Sequence, residues 1–273
     1  MATLDKSRNK IFLGIFILLL LLAGAVFYSR SGKNFEPFSL LEEQKIESRE
    51  EDKLGLPEKV FIENVPFTTQ APFADWEDDR QQDGCEEASV LMAIRWIRGQ
   101  GITKQEALDE ILAMSAYELE KYGSYHDTSA EDTVKRLFNG YYGYGANNDD
   151  NNDNDNDNDN NDNRGGSKVW VGYDFSIEDI KKELAEGHLV IIPADGKAIG
   201  NPNFTNGGPE RHMLVIRGYD DRKGLFTTND PGTRKGENYV YGYGVLMNSI
   251  RDYPTGHKVP ITEKRKAMIV VEK

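Results

Sequence analysis

The sequence predicts an α+β protein: N-terminal helices packed on an antiparallel sheet, the domain preceded by one transmembrane helix. Three observations predict it. Helix caps and helical periodicity concentrate between residues 85 and 138. Short β-branched and aromatic runs follow from residue 168 onward, so helices come first and strands later. Residues 11–27 form an unbroken run of 17 apolar or glycine residues.

The apolar run comes first. At a rise of about 1.5 Å per residue it extends about 26 Å, enough for a thin bilayer. Lys6, Arg8 and Lys10 precede it, which puts the N-terminus in the cytoplasm and the rest of the chain outside. Residues 1–29 are thus read as a cytoplasmic N-terminus and membrane anchor. Ala23-Gly24-Ala25 fits a small-x-small cleavage site, and secretion after cleavage near Ala25 is the alternative. The length of the run favours the uncleaved anchor. Residues 30–59 carry acidic clusters at Glu42-Glu43 and Glu50-Glu51-Asp52 and read as a charged tether.

The globular part is expected over residues 60–273. A helix over 85–98 ends at Gly99-Gln100-Gly101. Thr103 caps a second, which stops near Gly123, and Ser129 with Asp132 opens a third. Residues 147–163 are ten Asn and seven Asp, with nothing apolar to bury, and are expected to be a disordered insert. They lack the glycine and the bidentate glutamate of an EF-hand loop. A strand over 168–173 follows, then a helix opened by Ser176 with Asp179 and closed by Gly187. Strands are expected at 189–193, 212–219, 225–228 and 239–241, a helix near 245–250 and a last strand at 267–271.

Composition excludes several function classes. The chain of 273 residues has one cysteine, so no intrachain disulfide and no Cys-rich zinc pattern is available. Its four histidines are scattered and give no metal cluster by spacing; no metal or cofactor is expected. A net charge of −13 argues against nucleic acid as a partner.

Cys85 opens a helix directly after Asp83-Gly84. A thiol there meets the positive end of the helix and free backbone N–H groups, which favour the thiolate. Eight of the ten residues 88–97 are apolar, so the helix is a buried and rigid mount. A small, buried, unreactive cysteine is the alternative. His212 stands at the lip of the strongest strand, Met213-Leu214-Val215-Ile216, and Asp230 follows the next strand in Asn229-Asp230-Pro231-Gly232. Singly, these are also what a surface histidine and a tight turn would look like.

Four segments together resemble the Peptidase_C39-like family, bacterial papain-like cysteine peptidases related to the domains that cut double-glycine leaders from bacteriocins. They are Asn64-Val65-Pro66-Phe67-Thr68-Thr69-Gln70, Gly84-Cys85-Glu86-Glu87-Ala88-Ser89, Arg211-His212-Met213-Leu214-Val215-Ile216-Arg217-Gly218-Tyr219-Asp220 and Asn229-Asp230-Pro231-Gly232. The resemblance implies a papain-like fold, with Cys85 as nucleophile, His212 as general base, Asp230 as orienting group and Gln70 as oxyanion donor. Asn229 is an alternative to Asp230, and Gln81 and Gln82 are rivals to Gln70. Glu86 and Glu87 depart from the small residues common after the family's cysteine, and their charge works against a thiolate. The chain lacks the transporter segments of leader-cleaving relatives, so a bacteriocin leader is not the implied substrate.

The expected function is a membrane-anchored, extracytoplasmic cysteine peptidase acting on a peptide or protein. The alternatives are a cell-wall peptide amidase and a non-catalytic papain-like binding module, whose groove the run Tyr141-Tyr142-Gly143-Tyr144 could line. The sequence leaves the oligomeric state open.

Overall fold

The computed structural model describes residues 55–145 and 168–273. The apolar run 11–27, most of the tether and the Asn/Asp tract 147–163 lie outside the described residues. Among those described, no helix is long and apolar enough to cross a membrane.

Among the described residues, seven strands form one antiparallel sheet: β1 (Lys59–Phe61), β2 (Val169–Tyr173), β3 (Leu189–Ala194), β4 (His212–Asp220), β5 (Leu225–Asn229), β6 (Tyr239–Gly242) and β7 (Ala267–Val271). Their order is β2-β7-β3-β4-β5-β6, with β1 beside β4. β4 is the axis. Its first half, from His212 to Ile216, pairs with β3, and its second half, from Gly218 to Asp220, pairs with β1. β5 runs along the opposite edge. Every residue of β3 is buried, as are the first eight of β4, so both faces of these strands are covered.

The helices are α1 (Asp79–Gln82), α2 (Cys85–Ile97), α3 (Lys104–Tyr122), α4 (Ala130–Thr133), α5 (Ile177–Ala185), α6 (Gly196–Ile199) and α7 (Tyr243–Ser249). Both α2 and α5 pack against β4, and α3 packs against α2. The caps read from sequence are formed. Thr103 and Glu106 make a capping box on α3, and Gly123 ends it in the left-handed region at φ 79°. Ser176 and Asp179 make a second box on α5. The helix opened by Ser129 departs from expectation: after Thr133 it widens into a π-helix, Val134–Tyr141.

Contacts of the domain begin before residue 60. The Tyr219 hydroxyl donates to the Pro57 carbonyl at 2.6 Å, and Glu58 pairs with Arg222. β1 carries no alternation that three residues could show, and its place is set by pairing with β4.

β4 bulges at Arg217, between the pairs Ile216–Thr228 and Gly218–Thr227. The bulge turns that buried side chain toward the segment after β1. Its guanidinium donates to the Ile62 carbonyl through Nε and Nη2, and to the Val65 carbonyl and Asn238 Oδ1 through Nη1. Arg217→Leu strips both guanidinium bonds from the buried Ile62 carbonyl and one from the Val65 carbonyl. The expected loss is about 2–4 kcal/mol, read as a lower urea midpoint at unchanged slope. An unchanged midpoint would show that the bulge arginine does not hold this segment.

Candidate active site

The four residues singled out from the sequence come from four places in the fold. Cys85 is the first residue of α2, and the glycine before it is sterically required: a Cβ on Gly84 would lie 2.7 Å from the Arg80 carbonyl oxygen. His212 is the first residue of β4, and Asp230 directly follows β5. The β4–β5 register brings these two together, with Nε2 of His212 2.8 Å from Oδ1 of Asp230. Both are almost fully buried.

Asp230 is held on all sides. Oδ1 also accepts the Gly232 N–H at 2.9 Å, and Oδ2 accepts the Tyr241 hydroxyl at 2.5 Å and the Asn201 amide at 3.3 Å. Burial pushes its pKa up, but the neighbouring His212 charge and these hydrogen bonds outweigh burial and hold the carboxyl below its usual range. Phe204 meets the His212 ring edge-on at 5.2 Å. Gly232 makes room for both rings; a Cβ there would come within 2.9 Å of each. Asn229 does not face His212. Its amide donates to the Pro66 carbonyl at 3.1 Å and its oxygen accepts from Asn238 N–H.

Gln70 lies between the two halves. Its backbone N–H donates to the Pro231 carbonyl at 3.0 Å, beside Asp230. Its side-chain amide donates to the carbonyls of Gln81 and Gln82, at 3.1 and 2.7 Å, just ahead of Cys85. Its Oε1 is buried without a partner. The side chains of Gln81 and Gln82 turn to Asp78 and the Trp76 carbonyl. One further bond joins α2 to β4: Ser89, one turn beyond Cys85, donates to the Met213 carbonyl, next to His212.

The thiol departs from expectation. Cys85 Sγ donates to Glu86 Oε2 at 3.0 Å rather than to the imidazole, and its pKa is raised well above the ordinary thiol value. Burial is the largest cause; the charges of Glu86, Asp127 and Glu87 add to it. The helix N-terminus, worth about 0.3–1 kcal/mol, is outweighed. Glu86 is itself buried and held by the Tyr253 hydroxyl at 2.7 Å and Thr128 N–H at 3.2 Å. Burial likewise pushes Asp127 up to about 7 and Glu118, beside Glu87, up to about 8.

Of the other residues, His126 bonds Asp83 and His188 bonds Glu183. The tyrosine run is packed rather than groove-lining: Tyr141 and Tyr142 donate to Glu110, and Tyr144 to the Glu272 carbonyl. Asn201, Phe204 and Tyr241 carried no sequence signal, since each reads locally as turn or packing.

The Peptidase_C39 like family model matches residues 62–258, which takes in all four of these residues. The chain belongs to the Peptidase_C39 like family. No curated protein matches it. Among solved structures it is similar to one from Bacillus anthracis described as a C39-like peptidase, at 16% identity over 80% of this chain and 99% of that one, with a TM-score of 0.43. It is also similar to xylellain, a cysteine protease from Xylella fastidiosa, at 14% identity over 81% and 88% of the two chains, with a TM-score of 0.31. The α+β antiparallel architecture agrees with the family fold.

Within this family frame the Glu86 contact is open to test. Glu86→Gln keeps an acceptor for Tyr253 and Thr128 but removes the charge. The pH midpoint for alkylation of Cys85 is expected to fall, because a negative neighbour raises a thiol's pKa and its removal lowers it. An unmoved midpoint would mean that the Glu86 charge does not hold the thiol protonated.

Proposed function

We propose that this chain is a cysteine peptidase that cleaves peptide bonds with Cys85, His212, Asp230 and Gln70. The observation that carries the reading is the 2.8 Å contact of His212 with a buried, four-fold hydrogen-bonded Asp230, on a strand that Ser89 ties to the first turn of the Cys85 helix.

In this reading the Asp230 bond fixes the imidazole through Nε2 and leaves Nδ1 to exchange protons. His212 takes the thiol proton as the sulfur attacks the carbonyl carbon and a C–S bond forms. The carbonyl oxygen becomes an oxyanion, accepting the Cys85 backbone N–H and one Gln70 amide N–H, the latter released from the longer of its two carbonyl bonds. His212 then protonates the leaving amine as the C–N bond breaks, and water hydrolyses the thioester by the reverse sequence.

Residues 1–29 supply the anchor and 30–59 the tether, with the domain outside the membrane; the base-flanked apolar run supports this placement. One observation favours a second reading, a non-catalytic peptide-binding module: the thiol is buried and held protonated beside Glu86.

Kinetics on a peptide substrate separate the two. Cys85→Ala is expected to abolish hydrolysis with the circular dichroism unchanged, and His212→Ala to lower kcat/KM by about 10²–10⁴-fold. Asp230→Asn is also expected to be costly, because it sets an amide N–H against donors that the carboxylate now accepts, or exposes the imidazole to one. Wild-type rates in Cys85→Ala would end the thiol mechanism. Cleavage confined to cell-wall stem peptides would favour the amidase form.

The topology has its own measurement. Protease added to intact cells is expected to degrade the domain. Protection until the membrane is broken would place it in the cytoplasm.

A further inference from the structure

The fold assembles a group of potential metal ligands that spacing along the chain did not reveal. Asp83, His126 and His257 present one ligand atom each, all within 4.8 Å of one another. They come from three segments: Asp83 is the C-cap of α1, two residues before Cys85, His126 lies between α3 and α4, and His257 lies in the loop after α7. Nδ1 of His126 is 2.7 Å from Oδ2 of Asp83, and the two imidazole rings lie 4.4 Å apart between centroids.

The loops bearing these side chains are tied together independently of them. Gly256 N–H, next to His257, donates to the carbonyl of Asp127, next to His126, at 2.9 Å. Arg211 joins the same loops, its guanidinium bonding Asp127 Oδ2 at 3.2 Å and the Val259 carbonyl. Arg211 directly precedes His212. The cluster therefore sits on a braced frame, adjoining Cys85 along the chain on one side and His212 on the other.

Two imidazoles and one carboxylate are a donor set suited to zinc. Bonds of about 2.0–2.1 Å to a tetrahedral ion put ligand atoms about 3.3 Å apart, so the group needs only small side-chain movements to close. His257 is exposed while Asp83 and His126 are partly covered, which gives the ion a way in and leaves its fourth position open to solvent. We propose that Asp83, His126 and His257 form a binding site for a divalent transition-metal ion of the zinc class, which fastens together the loops beside Cys85. The site is distinct from the proposed peptidase residues and does not depend on their chemistry. A second group, Glu183, Glu186 and His188, has one imidazole and two carboxylates.

Zn²⁺ titration of the full chain by calorimetry tests the assignment, with Co²⁺ absorption reporting the ligand field. One ion is expected to bind, with a tetrahedral Co²⁺ spectrum free of a thiolate charge-transfer band, and with affinity unchanged in Cys85→Ala. His126→Ala and His257→Ala should each weaken binding by about a hundredfold or more. His257 is exposed, so that variant keeps the test valid if His126→Ala fails to fold. Zn²⁺ should also raise the Tm of the wild type and not that of His257→Ala. The proposal is overturned if no ion binds, or if both histidine variants retain full affinity. It is equally overturned if binding is lost on Cys85→Ala, on His188→Ala, or on removal of residues 147–163.

Discussion

The grip of Arg217 on the carbonyls of Ile62 and Val65 is the constraint on which the site depends. It seats the chain after β1 against β4, and Asn229 extends the attachment to Pro66. That chain delivers Gln70, which bonds Pro231 through its backbone and the carbonyls of Gln81 and Gln82 through its side chain. One glutamine thereby spaces the turn that carries Asp230 from the loop that leads into Cys85. Side-chain and backbone hydrogen bonds to charged or buried groups are each worth about 1–3 kcal/mol when breaking them leaves a group unpaired. The series of them makes this segment a structural part of the site.

The two sides of the site are electrostatically unlike. On the strand side, burial raises the pKa of Asp230, but the His212 charge and the hydrogen bonds it accepts outweigh burial and hold it below its ordinary value. On the helix side, Glu86, Glu87, Glu118 and Asp127 crowd a buried region where burial favours their protonated forms. Burial raises the thiol, and the charges of Glu86, Asp127 and Glu87 add to it. A helix terminus acts through partial charges, whereas burial of an ionisable group shifts its pKa by up to about 3–5 units. Here the magnitudes decide the outcome, and the thiol rests protonated.

What was legible in the sequence was local. Thr103 with Glu106, Ser176 with Asp179, and Gly123 announce helix ends because cap and capped groups lie within four residues. His212 and Asp230 were legible by their places at strand ends, though only the β4–β5 register makes them partners. Glu86 and Glu87 showed the sign of their effect on the thiol, but not its size, because burial is a tertiary property. Asn201, Tyr241, Arg217 and the grouping of His126 with His257 were not legible. Their meaning lies in contacts between segments distant in sequence, and each alone reads as an ordinary turn, strand or loop residue. The Glu86 bond to Cys85 hid for another reason: adjacent residues on a helix do not usually face one another, and the first turn relaxes that rule.

On the proposed assignment, the resting site is internally satisfied where the reaction needs it free. The thiol is bonded to Glu86, and both N–H groups of the Gln70 amide are bonded to carbonyls. A substrate carbonyl entering the cleft would exchange these bonds for others rather than find donors waiting. Exchange of hydrogen bonds costs little when their number is conserved, because the net worth of each is small beside the penalty for leaving one unmade. Attack by Cys85 therefore requires the imidazole to replace Glu86 as the thiol's acceptor in the same event that seats the substrate. The acidic side opposes ionisation of an unoccupied site, and the buried Asp230–His212 pair supplies a base already oriented to accept the proton once the site is filled.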